Sequence, residues 1–410
     1  MKIREEEINE FLNQQLPFPV EMKDSDGTVR CWAENKEGDA IRITWHVPFS
    51  LKDCMKKGVS MYLGEAYMDG LVDVEGENRP LERLVEFAYE MMLKLQQNAT
   101  WTKWVSTTMK VKQKFHRHTP SENKEEIHAH YDISNDFYRL WLDDTMTYSC
   151  AYFANEKDTL TQAQENKVQH ILKKLNPKPG KTLVDIGCGW GTLMLTACEQ
   201  YQLKVTGITL SEEQYNYVQE QIEKRNLQDR AEVLLMDYRN LKGRHFDYVT
   251  SVGMFEHVGS QELPNYFQIV SDLLSEGGNA LIHGITSQQN GGTDPWLDKY
   301  IFPGGYIPSM VEILEDTRSA GLQLFDLETL RRHYQKTLEC WTDNFHQCKD
   351  EVLKMEGERF YRMWDAYLQA CAGSFAAGNI DCCQYLLTKG PSGMNLPMTR
   401  EYMYHNINIQ

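Results

Sequence analysis

The sequence predicts an α/β chain, with a larger domain on a mostly parallel sheet and a smaller α+β domain in front of it. Three observations lead there. From residue 182 onward, short apolar runs alternate with amphipathic stretches, the rhythm of strand–helix–strand units joined by right-handed crossovers. The first run ends in Asp185-Ile186-Gly187-Cys188-Gly189-Trp190-Gly191, a glycine loop between a strand and a helix. Residues 1 to about 110 lack both features and read as a separate module. The expected division is 1–110, a basic linker at 111–127, and 128–410.

In the front module, Ile41, Ile43, Trp45, Val47 and Phe49 alternate with Arg42, Thr44, His46 and Pro48, the period of a half-buried strand. Pro80 opens a helix with Leu81, Leu84, Phe87, Met91 and Leu95 on one face. Residues 91–121 hold Lys94, Lys103, Lys110, Lys112, Lys114 and Arg117 and no acid, beside Trp101, Trp104 and Phe115. Two roles fit this basic stretch: a linker, or a patch facing an anionic bilayer. There each Lys or Arg contributes about 1 kcal/mol and Trp favours the interface.

In the larger domain, Thr182–Ile186 is the first strand, followed by a helix to about Tyr201. Lys204–Leu210 is the second, and Ser211 starts an amphipathic helix to about Asn226. Ala231–Met236 and Phe246–Gly253 are the third and fourth. A helix over 262–275 stops at Gly277-Gly278, and Asn279–Ile285 is the fifth strand. Residues 331–377 read as helices, and Asp381–Thr388 as a last strand.

The chain carries a net charge of −16 and has a pI near 5.3. General nucleic-acid binding is excluded on that ground, because neutralising phosphates takes a surplus of Lys and Arg. No apolar run approaches the ~20 residues of a membrane-spanning helix, and MKIREEEINEF lacks the apolar core of a secretory signal, so a cytoplasmic location is expected. The ten cysteines include no C-x-x-C pair, so no metal site is expected and reduced thiols are.

The loop D-x-G-x-G-x-G is neither the dinucleotide pattern G-x-G-x-x-G nor a Walker loop. Its leading acid suits a ligand carrying an ammonium group, such as the methionyl end of S-adenosylmethionine. The strings HYDISNDFY (130–138), TYSCAYF (147–153), LVDIGCGWG (183–191), GITLSEEQ (207–214), SVGMFEHVG (251–259), YIFPGGYIPS (300–309) and ACAGSF (370–375) carry a closer likeness. With them the chain resembles the class I S-adenosylmethionine-dependent methyltransferases. Within these it resembles the cyclopropane-fatty-acyl-phospholipid synthases and the mycolic-acid cyclopropane synthases. GEAYMDG (64–70) resembles the N-terminal domain of the long bacterial synthases.

The resemblance implies a Rossmann-like catalytic domain with a mostly parallel seven-stranded sheet. It also implies residue roles. Tyr148, Ser149, Gly187 and Gly189 would contact S-adenosylmethionine, and Asp185 would support the loop. Thr209, Leu210, Ser211 and Gln214 would hold the ribose side, with Tyr238 and Arg239 near the adenine. Ser211 is equally a natural helix N-cap.

The implied reaction moves a methyl to a cis alkene of a phospholipid acyl chain, passes through a carbocation, and closes a ring after loss of a proton. Aromatic faces stabilise such a cation, and Tyr152, Phe153, Phe255, Tyr306 and Tyr334 are candidates. The implied base is a bound bicarbonate held by Cys150, Glu256, His283, Tyr334 and the backbone of Ile285. Cys371 is a further thiol candidate. A core histidine and a first-turn acid remain structural alternatives for His283 and Glu256. Residues 288–306, with Trp296, Ile301 and Phe302, read as a mobile loop over the site or against lipid. The resemblance further implies a homodimer, attached peripherally to the inner face of the cell membrane.

Overall fold

The computed structural model describes residues 5–96, 134–289, 291–390, 393 and 395–404. The basic and aromatic residues from Trp101 to Arg117, the 111–127 linker, and His130 to Ile133 lie outside the described residues.

The chain runs α1 (Glu5–Gln15), β1 (Val20–Lys23), β2 (Val29–Trp32), β3 (Ile41–Trp45), α2 (Leu51–Lys57), α3 (Val59–Met68), β4 (Val72–Glu75) and α4 (Pro80–Gln96). It continues with α5 (Asn135–Trp141), α6 (Leu160–Leu175), β5 (Thr182–Ile186), α7 (Thr192–Tyr201), β6 (Lys204–Thr209), α8 (Glu212–Lys224), β7 (Ala231–Leu235), β8 (Phe246–Val252), α9 (Leu263–Leu273) and β9 (Leu274–Ser287). The last stretch is α10 (Pro295–Tyr300), α11 (Met310–Ser319), β10 (Gln323–Thr329), α12 (Arg331–Gln347), α13 (Lys349–Glu356), α14 (Glu358–Ala376), β11 (Ile380–Thr388) and α15 (Glu401–Tyr404). Packing divides it into two compact units. The first gathers the described residues up to Gln96 with 294–301 and 338–377; the second holds the remainder.

The first unit carries a four-stranded sheet in the order β2-β1-β3-β4. Ile41 and Trp45 point into its core, but the strand expected over 41–49 ends at Trp45, ahead of Pro48, and Phe49 is exposed. Proline cannot continue a ladder of N–H donors. α4 begins at Pro80, as expected, and its free Leu81 N–H donates to Gln369 Oε1 on α14 at 3.0 Å. Gly373 lets those two helices touch: a Cβ there would lie 2.5 Å from the Glu82 carbonyl oxygen. The single domain expected over 128–410 is therefore corrected, because 338–377 supply the packing partner of α4.

GEAYMDG has a matching structural role. A Cβ on Gly64 would lie 2.5 Å from the Trp296 ring, Glu65 binds Lys299 and Tyr300 at 2.8 Å, and Tyr67 donates to Asp365 at 2.7 Å. The expected mobile loop at 288–306 is corrected on the same evidence. Its centre folds as α10 and is seated on α3, with Trp296 and Ile301 buried.

The second unit carries the seven-stranded sheet expected, in the order β10-β11-β9-β8-β5-β6-β7, with only β11 reversed. Consecutive residues point to opposite covered faces. Leu183, Tyr248, Leu281 and Leu386 enter one core, and Val184, Val249, Ala280 and Leu387 the other. β9 starts at Leu274 and runs through Gly277-Gly278, the expected helix stop. β5 lies between β6 and β8, where the strand order reverses, and such a switch point opens a crevice at the carboxyl ends of the strands.

Candidate active site

The glycine loop leaves β5 at this switch point. Gly187 and Cys188 N–H groups both donate to the Ile208 carbonyl at 2.9 Å, which folds the loop back on β6. Gly187 has φ +77°, a region L side chains rarely adopt, and a Cβ there would meet Met254 Cγ at 3.0 Å. Asp185 is buried and accepts from Thr250 Oγ1 at 2.8 Å. Burial lifts its carboxyl to about 6, against the pull of Thr250 and Lys167.

A cavity opens above this loop. Its lining includes Tyr148, Ser149, Asp185, Gly187, Gly189, Thr209, Leu210, Gln214 and Tyr238. Ser211 and Arg239, expected beside them, are absent from the lining. Ser211 Oγ instead accepts from the Gln214 N–H as the N-cap of α8. Arg239 turns to its own neighbour Asp237, with Nε to Oδ1 at 2.9 Å. Asp237 itself lines the cavity, as do Lys167 and His257.

The wall formed by residues 147–150 is fixed from α6. Gln164 Nε2 donates to the Ser149 and Thr147 carbonyls at 2.9 and 3.3 Å, and Lys167 Nζ donates to Ser149 Oγ at 2.8 Å. Lys167 is fully enclosed, and burial lowers it to about 8 although nearby Cys150, Asp143 and Asp185 favour its charge.

One residue beyond Ser149 begins a second cluster. Cys150 is buried, with its Sγ 3.3 Å from the Ala151 carbonyl. His283 stands on β9 directly opposite Gln384 of β11, and Ile285 opposite Cys382. Side chains two apart share a face, so Cys382 and Gln384 converge on His283. Cys382 Sγ lies 3.2 Å from His283 Nε2, and Gln384 Nε2 lies 3.2 Å from Nδ1. Burial holds the imidazole far below its ordinary pKa, hence neutral.

Glu256 follows β8 on a short 3₁₀ turn, and Gly284 leaves room for it and for Phe255. Its Oε1 accepts the Ile285 N–H at 2.7 Å, while the buried Oε2 has no protein partner. Burial lifts this carboxyl to about 7, with the Ile285 N–H pulling the other way. Tyr334, raised by burial, has Cys382, Cys150, Tyr148 and Glu256 in its electrostatic surroundings. Acid, imidazole, phenol and thiols thus gather in a buried cluster.

The family model described as mycolic acid cyclopropane synthetase matches residues 118–385. The chain belongs to this family. A second model, a domain of unknown function, matches residues 8–99. A probable fatty acid methyltransferase of Pseudomonas putida is 40% identical over 296 residues, which is 70% of this chain and 75% of the relative. The cyclopropane-fatty-acyl-phospholipid synthase of Escherichia coli K12 is 39% identical over 262 residues, 64% of this chain and 67% of the relative. A solved mycolic acid cyclopropane synthase, complexed with SAH and CTAB, superposes with a TM-score of 0.62 at 35% identity, over 65% of this chain and 98% of that one. The protein is a methyltransferase of the class I fold.

Against the expectations for this cyclopropane synthetase family, Cys150, Glu256, His283, Ile285 and Tyr334 all fall in the second unit, around β9 and β11. Cys371 is the exception. It lies on α14 in the first unit, where burial pushes its thiol up to about 12 with Asp294 adding to the effect. Of the aromatic candidates, Tyr152 is stacked between His170 and His333 at 4.2 and 4.8 Å. Phe153 lies under the Lys336 ammonium, and the Tyr306 hydroxyl donates to Glu312. Gln164, Lys167, His257, Cys382 and Gln384 escape the sequence reading. For the first two a signal exists: α6 buries Gln164, Lys167, His170 and Lys174 at helical spacing, where apolar residues are the norm.

Proposed function

We propose that the protein is a cyclopropane fatty acid synthase, acting on cis double bonds of unsaturated acyl chains in membrane phospholipids. The observation that carries this reading is the buried Glu256 carboxyl, with one oxygen unpartnered and Tyr334 in its electrostatic surroundings, in the same unit as the buried His283 imidazole and the Cys150 thiol. Methyl transfer to an amine or a hydroxyl needs no such enclosed acid–imidazole–phenol set.

S-adenosylmethionine suits the cavity. Glycine backbone lies where the cofactor must approach closely, acids stand at Asp185 and Asp237, and hydroxyl and amide groups stand at Thr209 and Gln214. When bound, it supplies an electrophilic methyl on a sulfonium. Gln164 and Lys167 hold the Tyr148–Ser149 wall against it. Bicarbonate suits the second cluster, where Cys150, His283 and Tyr334 offer polar hydrogens and Glu256 Oε2 offers an unused site. A carboxyl lifted to about 7 is largely neutral at slightly acidic pH and tolerates an anion beside it. Phe255, buried against Gly284, helps keep out water that would trap a carbocation.

Incubating the protein with S-adenosylmethionine and unsaturated phospholipid vesicles, then analysing the acyl chains, tests the reading. A gain of one CH₂ with loss of the double bond and appearance of a ring signal is expected. A methyl-branched chain, the product favoured by the likeness to the Pseudomonas protein named as a fatty acid methyltransferase, would replace ring formation as the function.

A bilayer partner on the cytoplasmic side belongs to this proposal. What supports it is an apolar stretch on α2 and α3: Leu51 is 64% and Met55 73% exposed, with Val59 and Leu63 following and Lys52, Lys56 and Lys57 beside them. Apolar side chains flanked by lysines suit an anionic interface. Met55→Glu, and separately Glu at Lys110, Lys112 and Lys114, are expected to lower sedimentation with anionic vesicles at low salt. Unchanged sedimentation removes the corresponding surface. The proposed homodimer is checked by sedimentation velocity.

A further inference from the structure

The cysteine spacing of the chain contains no metal motif, yet the fold assembles two sulfurs and one imidazole from three separate segments. Cys150, His283 on β9 and Cys382 on β11 are all buried, and their ligand atoms lie within 4.8 Å of one another. A tetrahedral ion with bonds of about 2.3 Å to sulfur and about 2.0 Å to nitrogen sets its ligands about 3.5–3.8 Å apart. Cys382 Sγ and His283 Nε2, at 3.2 Å, therefore need only part slightly.

Two further atoms point to a ligand. Gln384 Oε1 is buried without a partner, while its amide nitrogen faces His283 Nδ1. Turning that amide end for end, which the two ends' similar shape allows, lets Oε1 accept from Nδ1–H. The Nε2 lone pair then faces the two sulfurs, the orientation in which histidine binds a metal with its other nitrogen held by a partner. The second atom is Glu256 Oε2, unpartnered and within electrostatic reach of Cys382.

We propose that Cys150, Cys382 and His283 form a binding site for a thiophilic divalent cation, with Zn²⁺ as the ion that fits it best. Soft sulfur ligands with an imidazole select such ions over Mg²⁺ or Ca²⁺. Binding converts two thiols to thiolates and releases two protons, so Zn²⁺ and two thiolates leave the buried site neutral. Cys150 and His283 cannot hold a metal and an anion together. Zn²⁺ is thus an inhibitor of turnover, a consequence that rests on the proposed function, whereas the binding itself does not.

The test uses the full chain, reduced with a phosphine, and Zn²⁺ in competition with a chromogenic chelator. One tight equivalent is expected, with about two protons released per ion. Cys382→Ser is expected to lose it. Cys383→Ser is expected to keep it, because that thiol turns to the other face, 3.5 Å from Thr286 Oγ1. Co²⁺ in place of Zn²⁺ is expected to give thiolate charge-transfer absorption that Cys382→Ser lacks. Thermal melts without metal check folding, and Cys382→Val, which fills the same space, replaces the serine variant if that one fails. Absence of a tight equivalent, an equivalent kept by the Cys382 variants, or bound Co²⁺ without thiolate absorption overturns the site.

Discussion

Replacing Glu256 with Gln separates the electrostatic part of this residue from its shape. In the fold its carboxyl sits at about 7 rather than at its ordinary 4.5, with burial as the dominant cause. The neutral form is the one the fold favours. The stability it contributes is therefore complete below pH 4.5 and is lost as pH rises through about 7. At 1.36 kcal/mol per pKa unit, that shift corresponds to about 3 kcal/mol, of which about 2.5 kcal/mol falls between pH 5 and pH 8.5. Gln keeps the acceptor for the Ile285 N–H and cannot ionise. It also puts an amide nitrogen where Oε2 now lacks a partner, a cost of about 1–3 kcal/mol that does not vary with pH. Urea unfolding of both proteins at pH 5 and pH 8.5 gives the comparison, since other titrating groups cancel in the difference. Relative to wild type, the variant is expected to gain about 2.5 kcal/mol on going to the higher pH. A gap that stays constant with pH refutes the claim that an enclosed, ionisable Glu256 is destabilised by burial. In turnover assays the same variant is expected to be impaired while cofactor affinity stays near normal.

Four other substitutions probe the rest of the site. Tyr334→Phe and Cys150→Ala are expected to lower kcat with little change in S-adenosylmethionine binding by calorimetry; a matching loss of affinity would move these residues to the cofactor side. Gly187→Ala forces an L residue to φ +77° against Met254, and a loss of about 1–3 kcal/mol in stability with weakened S-adenosylhomocysteine binding is expected from thermal shifts. Lys167→Met removes a charged donor to Ser149 Oγ, a bond worth about 1.5–3 kcal/mol, so cofactor affinity is expected to fall about tenfold or more. Unchanged affinity would mean that Gln164 alone fixes that wall.

How legible each part was depends on burial and on distance along the chain. The parallel strands were plain in the sequence because TLVDI and KVTGIT are short runs rich in β-branched and aliphatic residues, the kind that strands buried on both faces require. β10 was missed because it is an edge strand with a mostly open face and a register shift between Leu324 and Asp326. β1, β2 and β4 have four residues each, too few to establish a period. The glycine loop was readable as a local motif, whereas Tyr148, Thr209, Gln214 and Tyr238 of the cavity lining came only through the family resemblance. The convergence of Cys382 and Gln384 on His283 was not, because it comes from antiparallel registry between segments about 100 residues apart. ACAGSF looked like part of the chemistry. Its glycine is accounted for by close contact of α14 with α4, a packing demand that leaves no chemical signature in the sequence.

That helix contact also sets a timetable for biosynthesis. The first unit starts at the beginning of the chain, but its α4 packs on a helix that ends at Ala376. At about 5–20 residues per second, the ribosome takes on the order of tens of seconds to make the intervening chain. Throughout that interval the amino-terminal segment lacks the surface it is built to cover, and its apolar face is open to chaperones or to neighbouring nascent chains. A shortened gene that stops before α14 leaves this first unit incomplete, even though every residue of its own sheet is present.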